Sequence, residues 1–348
     1  MPQTFLNRRQ LLQQGMASTA LLAGGGTAAT FIGVSAAKGQ SLARIDMQLG
    51  WLASNGLLGE IAAAANGYFE EEGLRLEITP GGPNVDGVAN VASGRAGIGQ
   101  VSSSPSIMMA RAAGIPVKAF AAGYHTHPFT YFSLPDAPIR EPRDMIGKTI
   151  ATQPTAFILL RALLAANDIP ESDVEIVNMG ADMNQLLTGQ AQAVTGWLTN
   201  TAALSILGDD RVELMLWDAG LQLYANVYYT TDRMLAENGE QLAAFTRASA
   251  RGWGFVRENP EASVDMLLAA YPNLDRDAEM EAVHAVIGFS FNEDTPTDGW
   301  GAMTMENWER QIGSYADLGQ FDGPAPALED VATLEILEAT ADIRRAVG

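Results

Sequence analysis

At 348 residues the chain exceeds a typical single-core domain, and 47% hydrophobic against 18% charged residues excludes a disordered polymer. The 21 Lys and Arg stand against 41 Asp and Glu, a formal net charge of -20, which excludes the concentrated basic surface that a nucleic-acid partner needs. With no cysteine, disulfides, thiolate metal sites and cysteine nucleophiles are excluded too.

The first feature in chain order is Asn7-Arg8-Arg9-Gln10-Leu11-Leu12, followed over residues 15–37 by a Gly/Ala-rich, weakly apolar stretch without an acidic residue. This is the pattern of a twin-arginine export signal, taken here as residues 1–43 and implying a periplasmic location. Both Val34-Ser35-Ala36-Ala37 and Ser41-Leu42-Ala43 offer small residues for cleavage, and Gly24-Gly25-Gly26 breaks the stretch too early for a stable membrane span. Nothing beyond residue 44 is apolar enough for another span, so the processed chain is expected to be soluble.

From residue 44 onward short strand-like runs alternate with helical ones, the pattern of mainly parallel sheets covered by helices. Residues 45–51 alternate as a strand, and Leu58, Ile61, Ala65 and Tyr68 then share one helical face that Gly73 ends. Residues 74–78 predict a second strand, 84–93 a helix, and 98–101 a third strand. The third strand leads through Ser102-Ser103-Ser104 into a helix with Pro105 at its first position and Ser104 as its cap. After a fourth strand over 117–122, Gly123-Tyr124-His125-Thr126-His127-Pro128 interrupts the rhythm and predicts a crossing between two lobes.

A second series then begins: a strand from Lys148, a turn at Pro154-Thr155, a helix to Asn167, a strand over 174–177, a helix over 182–188 and a strand over 193–197. Runs at 212–217 and 223–230 are expected to return the chain to the first lobe. The remainder reads as helices that buttress that lobe, with Leu242, Phe245, Ala248, Gly252 and Phe255 at helical spacing. The expected division is residues 44–123 and 218–348 in the first lobe and 124–217 in the second. No repeat of solenoid length and no low-complexity linker interrupts it.

Several segments carry a family resemblance in order. Asn66-Gly67-Tyr68-Phe69-Glu70-Glu71-Glu72-Gly73-Leu74 resembles the "GYF…EGL" signature of periplasmic solute-binding proteins that serve ABC importers of nitrate, sulfonates, taurine and thiamine-pyrimidine precursors. The segments at 91–99, 113–117, 144–150 and 187–197 follow as in that family, so the similarity spans roughly residues 45–230. The resemblance implies a type II periplasmic binding-protein fold, two lobes joined by hinge strands and closing on a ligand. It also implies an importer permease with its ATPase as partners, and no enzyme activity. Eukaryotic relatives that synthesise the thiamine pyrimidine resemble the same fold, yet they carry a cysteine-rich motif and this chain has no cysteine. A periplasmic sensor presenting ligand to a receptor would use the same cleft.

Candidate ligand contacts follow from the expected strand ends and helix starts. Trp51 and Asn55 match an aromatic-plus-Asn pattern of thiamine-precursor binders, although the Pro and His of that stretch are absent and Leu58 stands where the His is expected. Ser102, Ser103 and Ser104 in the first lobe face Thr155 and Phe157 in the second, all at helix starts where hydroxyls and free N–H groups hold ligand oxygens. Trp197 offers a second aromatic face with Asn200 beside it, and Tyr124 and His125 lie in the expected hinge.

For each, packing in the core or capping a helix is the competing reading. His125-Thr126-His127 has metal-ligand spacing but no third ligand, and Met108 and Met109 read as core, so neither a metal nor a cofactor is expected. Arg95, Arg111 and Arg161 fall away from the cleft positions. The expected ligand is therefore a small, planar, nitrogen-containing molecule, neutral or cationic, with a sulfonate- or nitrate-type anion as the alternative. The protein is expected to act as a monomer.

Overall fold

The computed structural model describes residues 42–82, 85–180 and 182–348; the twin-arginine motif at 7–12 lies outside them. Ten strands form two five-stranded sheets. The first has the order β2-β1-β3-β10-β4, with β1 at Ala43–Leu49, β2 at Leu74–Thr79, β3 at Ile98–Ser103, β4 at Val117–Tyr124 and β10 at Ala225–Thr231. The second has the order β7-β6-β8-β5-β9, with β5 at Phe129–Ser133, β6 at Thr149–Thr152, β7 at Glu175–Asn178, β8 at Ala193–Trp197 and β9 at Val212–Met215.

Each sheet is parallel except for one strand. In the first, β10 runs antiparallel to β3 and β4; in the second, β5 runs antiparallel to β8 and β9. These are the two strands entered immediately after the chain crosses between sheets, at residues 125–128 and again at 216–224. A strand that arrives from the other lobe enters from the cleft side, so it runs opposite to strands whose carboxyl ends face the cleft.

The helices follow the expected order: α1 at Leu58–Ala65, α2 at Tyr68–Glu71, α3 at Gly87–Ala92, α4 at Pro105–Ala112, α5 at Phe157–Ala166, α6 at Asn184–Leu187 and α7 at Thr201–Leu204. After β10 come α8 at Asp232–Glu258, α9 at Pro260–Ala270 and α10 at Arg276–Ser290. The α1 and α8 helices approach closely because both present glycine: a Cβ at Gly252 would stand 2.0 Å from the carbonyl oxygen of Gly59. Around this crossing Trp253, Phe245, Phe120 and Tyr228 are fully buried, and burial of each large apolar side chain contributes roughly 2–3 kcal/mol.

Several expectations shift. The first strand, predicted over 45–51, runs from Ala43 to Leu49 and leaves Trp51 in the loop after it, and the third extends past residue 101 to Ser103. The helix predicted over 84–93 begins at Gly87, because the Asp86 carboxylate accepts from the backbone N–H of Ala89 and caps it there. The fourth strand runs two residues further than predicted, to Tyr124. Residues 212–215 do not return to the first sheet; they form β9, the edge strand beside β5, and β10 alone makes the return. Finally, the C-terminal helices do more than buttress one lobe, since α10 also packs on α7 beyond the second sheet.

No helix among the described residues is long and apolar enough to cross a membrane.

Candidate ligand-binding site

The carboxyl ends of β1, β3 and β8 point at one another across a cleft of about 1040 Å³. Trp51, Asn55, Ser102 and Ser103 line it from the first lobe, and Thr155, Trp197 and Asn200 line it from the second. Seven of the predicted contacts are thus brought together. Four are not, each for a local reason.

Ser104 is fully buried with helical backbone, and its hydroxyl donates to Gln311 at 2.5 Å while accepting from the N–H of Tyr224, so it neither caps α4 through its side chain nor meets the cleft. Tyr124 has no exposed surface; its ring packs among Trp197, Trp253 and Phe289 beneath the cleft. His125 turns to the C-terminal helices, with its backbone N–H bonded to Phe289 and its side chain held neutral by burial, its pKa lowered to about 4. Phe157 opens α5 after the turn Pro154–Ala156, and the helical rotation that brings Thr155, Ala156 and Leu159 to the cleft carries it away.

The two histidines therefore serve different surroundings. His127 is fully buried behind Ser103, with its Nε2 2.6 Å from the Ser103 hydroxyl and its Nδ1 accepting from the Phe129 N–H at 3.2 Å. A backbone N–H can only donate, so Nδ1 is the bare nitrogen and Nε2 carries the proton. Burial lowers the pKa of His127 to about 3, which keeps it in that neutral form. The Ser103 oxygen accepts from His127, and its own proton is left to donate into the cleft.

Of the cleft residues that escaped the sequence reading, three carry a buried polar atom without a partner among the described residues. Gln100, 8% exposed on β3, has its Nε2 buried without a partner among the described residues. Asn226 on β10 is in the same condition at Nδ2 and holds a left-handed φ of 48°, which asparagine tolerates better than most residues. Its side chain fits because Gly56 and Gly123 flank it: a Cβ on Gly56 would stand 2.9 Å from Asn226 Nδ2. Glu279 on α10 is 8% exposed and leaves Oε2 buried and unpartnered. Its pKa is raised, first because burial penalises the charge, with Asp275 adding to the effect and the nearby Asn55 amide opposing it.

An uncompensated buried polar group costs on the order of 1–3 kcal/mol, and of the buried unpartnered groups among the described residues these three are the ones on the cleft wall, where a ligand could satisfy them. A polar residue inside an otherwise apolar strand was the available signal for Gln100 and Asn226. Glu279 gave none, since a carboxylate on an amphipathic helix reads as solvent-facing.

Beyond the crossing at His125 and His127, two further hydrogen bonds between described residues join the lobes. Asn55 Nδ2 donates to the Thr199 carbonyl at 2.8 Å, and the Thr201 hydroxyl donates to the Ala278 carbonyl at 2.6 Å. Trp197 lies at this seam, its ring 5.6 Å from that of His127 and 5.8 Å from that of Tyr124. Trp51 is half-exposed, anchored by its carbonyl to the Gly81 N–H, with its ring stacked on no other aromatic among the described residues. Among the described residues, no Lys, Arg or His lines the cleft. Arg111 pairs with Asp232 and Asp330, and Arg161 with Glu171.

Comparison with known proteins places this arrangement. The chain is 27% identical over 290 residues to a formylaminopyrimidine-binding protein of Halalkalibacterium halodurans, covering 80% of this chain and 86% of that one. It is 26% identical over 257 residues to the riboflavin-binding protein RibY of Chloroflexus aurantiacus, covering 71% and 73%. Among solved structures, the periplasmic aliphatic sulphonate binding protein SsuA of Escherichia coli has the same fold, with a TM-score of 0.65 at 14% identity over 83% of this chain and 91% of that one. The profile described as NMT1/THI5 like matches residues 55–263, more than half of the chain, and the protein belongs to that family.

Proposed function

We propose that this protein is the extracytoplasmic substrate-binding component of an ABC importer, holding a planar, nitrogen-containing small molecule between its lobes. The observation that carries this reading is the convergence of unpaired amide and carboxyl groups, on Gln100, Asn226 and Glu279, with the rings of Trp51 and Trp197 in one cleft. Flat rings stack on aromatic faces, and a heterocycle's edge offers both donors and acceptors to such groups. The absence of a basic lining residue among the described residues argues against a sulfonate or nitrate, which calls for cationic or dense N–H contacts. The names of the two sequence relatives, one a pyrimidine binder and one a riboflavin binder, support the same class.

In this reading the lobes are residues 44–123 with 218–348, and 124–217. The protein leaves the cytoplasm by the twin-arginine route, acts as a monomer without chemical turnover, and delivers its ligand to a permease driven by an ATPase. Closure around the ligand shifts the population toward the state the permease recognises.

The test is titration of the purified protein with a panel of pyrimidines, flavins, taurine and nitrate, followed by tryptophan fluorescence and calorimetry. A heterocycle should bind at micromolar concentration or below and be recovered unchanged. Trp51→Ala should weaken it by about tenfold, the loss of one stacking face. Binding of taurine or nitrate alone, or consumption of the bound heterocycle, would contradict the reading.

A further inference from the structure

Within that binding reading, on which this inference rests, we propose that the cleft selects a ligand bearing a positively charged nitrogen and that Glu279 is the residue that pairs with it. The charge inventory comes first. Among the described residues four carboxylates line the cleft, on Asp86, Asp182, Asp275 and Glu279, and no basic side chain does. Arg276, next in sequence to Asp275, is directed outward to Glu261 and Asp265.

Three of the four are spoken for. Asp86 caps α3, Asp275 accepts from the Ala278 N–H at the start of α10, and Asp182 accepts from the Asn184 N–H; all three are exposed at the rim. Glu279 differs in each respect. It is more than nine-tenths buried, lies on the cleft wall, and has a carboxylate oxygen that meets no donor among the described residues.

An ionised carboxylate withdrawn from water is costly unless a cation or several donors compensate it, and the penalty is larger than for a neutral amide. Gln100 and Asn226 bring unmatched N–H donors, which suit carbonyl or ring-nitrogen acceptors on the ligand. Glu279 brings an unmatched acceptor with charge, which suits an ammonium, an amidinium or a quaternised ring nitrogen. Trp51 and Trp197 add to this preference, because a cation over an indole face is attracted by the ring quadrupole while an anion is repelled. The rim carboxylates extend a negative field to the cleft mouth that steers cations inward and anions away.

The simpler role for Glu279 is to steady Asn55, the residue that bridges to Thr199. That role would serve neutral and charged ligands alike, and the difference provides the test. Binding is measured for matched pairs of heterocycles, N1-methylnicotinamide with nicotinamide and thiamine with its neutral hydroxymethylpyrimidine fragment, with taurine as the anion. Wild-type protein and Glu279→Gln are compared at low and high salt, and melting temperature checks that the variant is folded.

At least one cation should bind ten times more tightly than its neutral partner. Glu279→Gln should weaken the cation at least about fivefold more than its neutral partner, so that most of the preference is lost, and the cation's affinity alone should fall with salt. If no cation outbinds its neutral partner, or if Glu279→Gln weakens both alike, the inference is overturned. Neutral heterocycles that still bind in that case leave the binding reading intact, whereas binding of taurine alone removes both.

Discussion

Glu60 lies in the first turn of α1 with no exposed surface, its Oε1 accepting from the Tyr228 hydroxyl at 2.6 Å and its Oε2 unpartnered among the described residues. Burial raises its pKa to about 7, and the hydrogen bond from Tyr228 offsets only part of that. Between pH 4.5 and 7 the folded protein keeps a proton that the unfolded chain releases, so this group's contribution to stability falls as pH rises through that window. The loss amounts to about 3 kcal/mol above pH 7.

Glu60→Gln keeps the acceptor for Tyr228 and brings its amide N–H near the Ser249 hydroxyl, which can accept it. Denaturant unfolding should therefore show the variant about equal to wild type near pH 4 and more stable by up to about 3 kcal/mol at pH 8. His125 and His127, with lowered pKa values, act in the opposite sense: their contribution is complete above pH 6.5 and is lost as pH falls toward about 4 and 3. Both proteins carry them, so they cancel in the comparison. Parallel stability curves for the two would show that Glu60 does not titrate in this range. None of this was legible in the sequence, where Glu60 reads as an ordinary first-turn acid; its burial comes from the close α1–α8 crossing at Gly59 and Gly252.

At the scale of elements, the strands and the first-series helices were legible because period-two and period-3.6 patterns lie within single segments. Trp51, Ser103 and Trp197 were found for the same reason: each follows or ends a strand whose carboxyl end must meet the cleft in a parallel sheet. What segment patterns do not carry is which helix folds back across the lobes. The α10 helix was expected to buttress one lobe, yet it contributes Glu279 to the cleft and the Ala278 carbonyl to Thr201 of α7.

That bond and Asn55–Thr199 link the lobes away from the crossing strands, each worth about 1 kcal/mol. Thr201→Val preserves shape and removes one of them, so the unliganded protein should shift toward more open forms by about fivefold. Small-angle scattering should show a larger radius of gyration without ligand and an unchanged one with saturating ligand. Identical unliganded profiles would mean that the bond does not bias closure.

On the scale of the whole molecule, two sheets, each with one antiparallel strand delivered from the other lobe, put rigid strand ends opposite one another and leave the crossings to absorb motion. The acidic balance of the chain is reproduced locally, since the described residues give the cleft four carboxylates and no basic side chain. Sulfonate-binding relatives share the fold, but the fold alone does not set the ligand; the side chains at the cleft do.

The measurement that bears most directly on a clamp that binds a heterocycle without changing it is native mass spectrometry of the protein purified from its own cell envelope. Denaturation and identification of the released compound follow. An unmodified planar nitrogen heterocycle at one per chain is the predicted result. A released sulfonate, or a heterocycle altered from the one supplied, would contradict it.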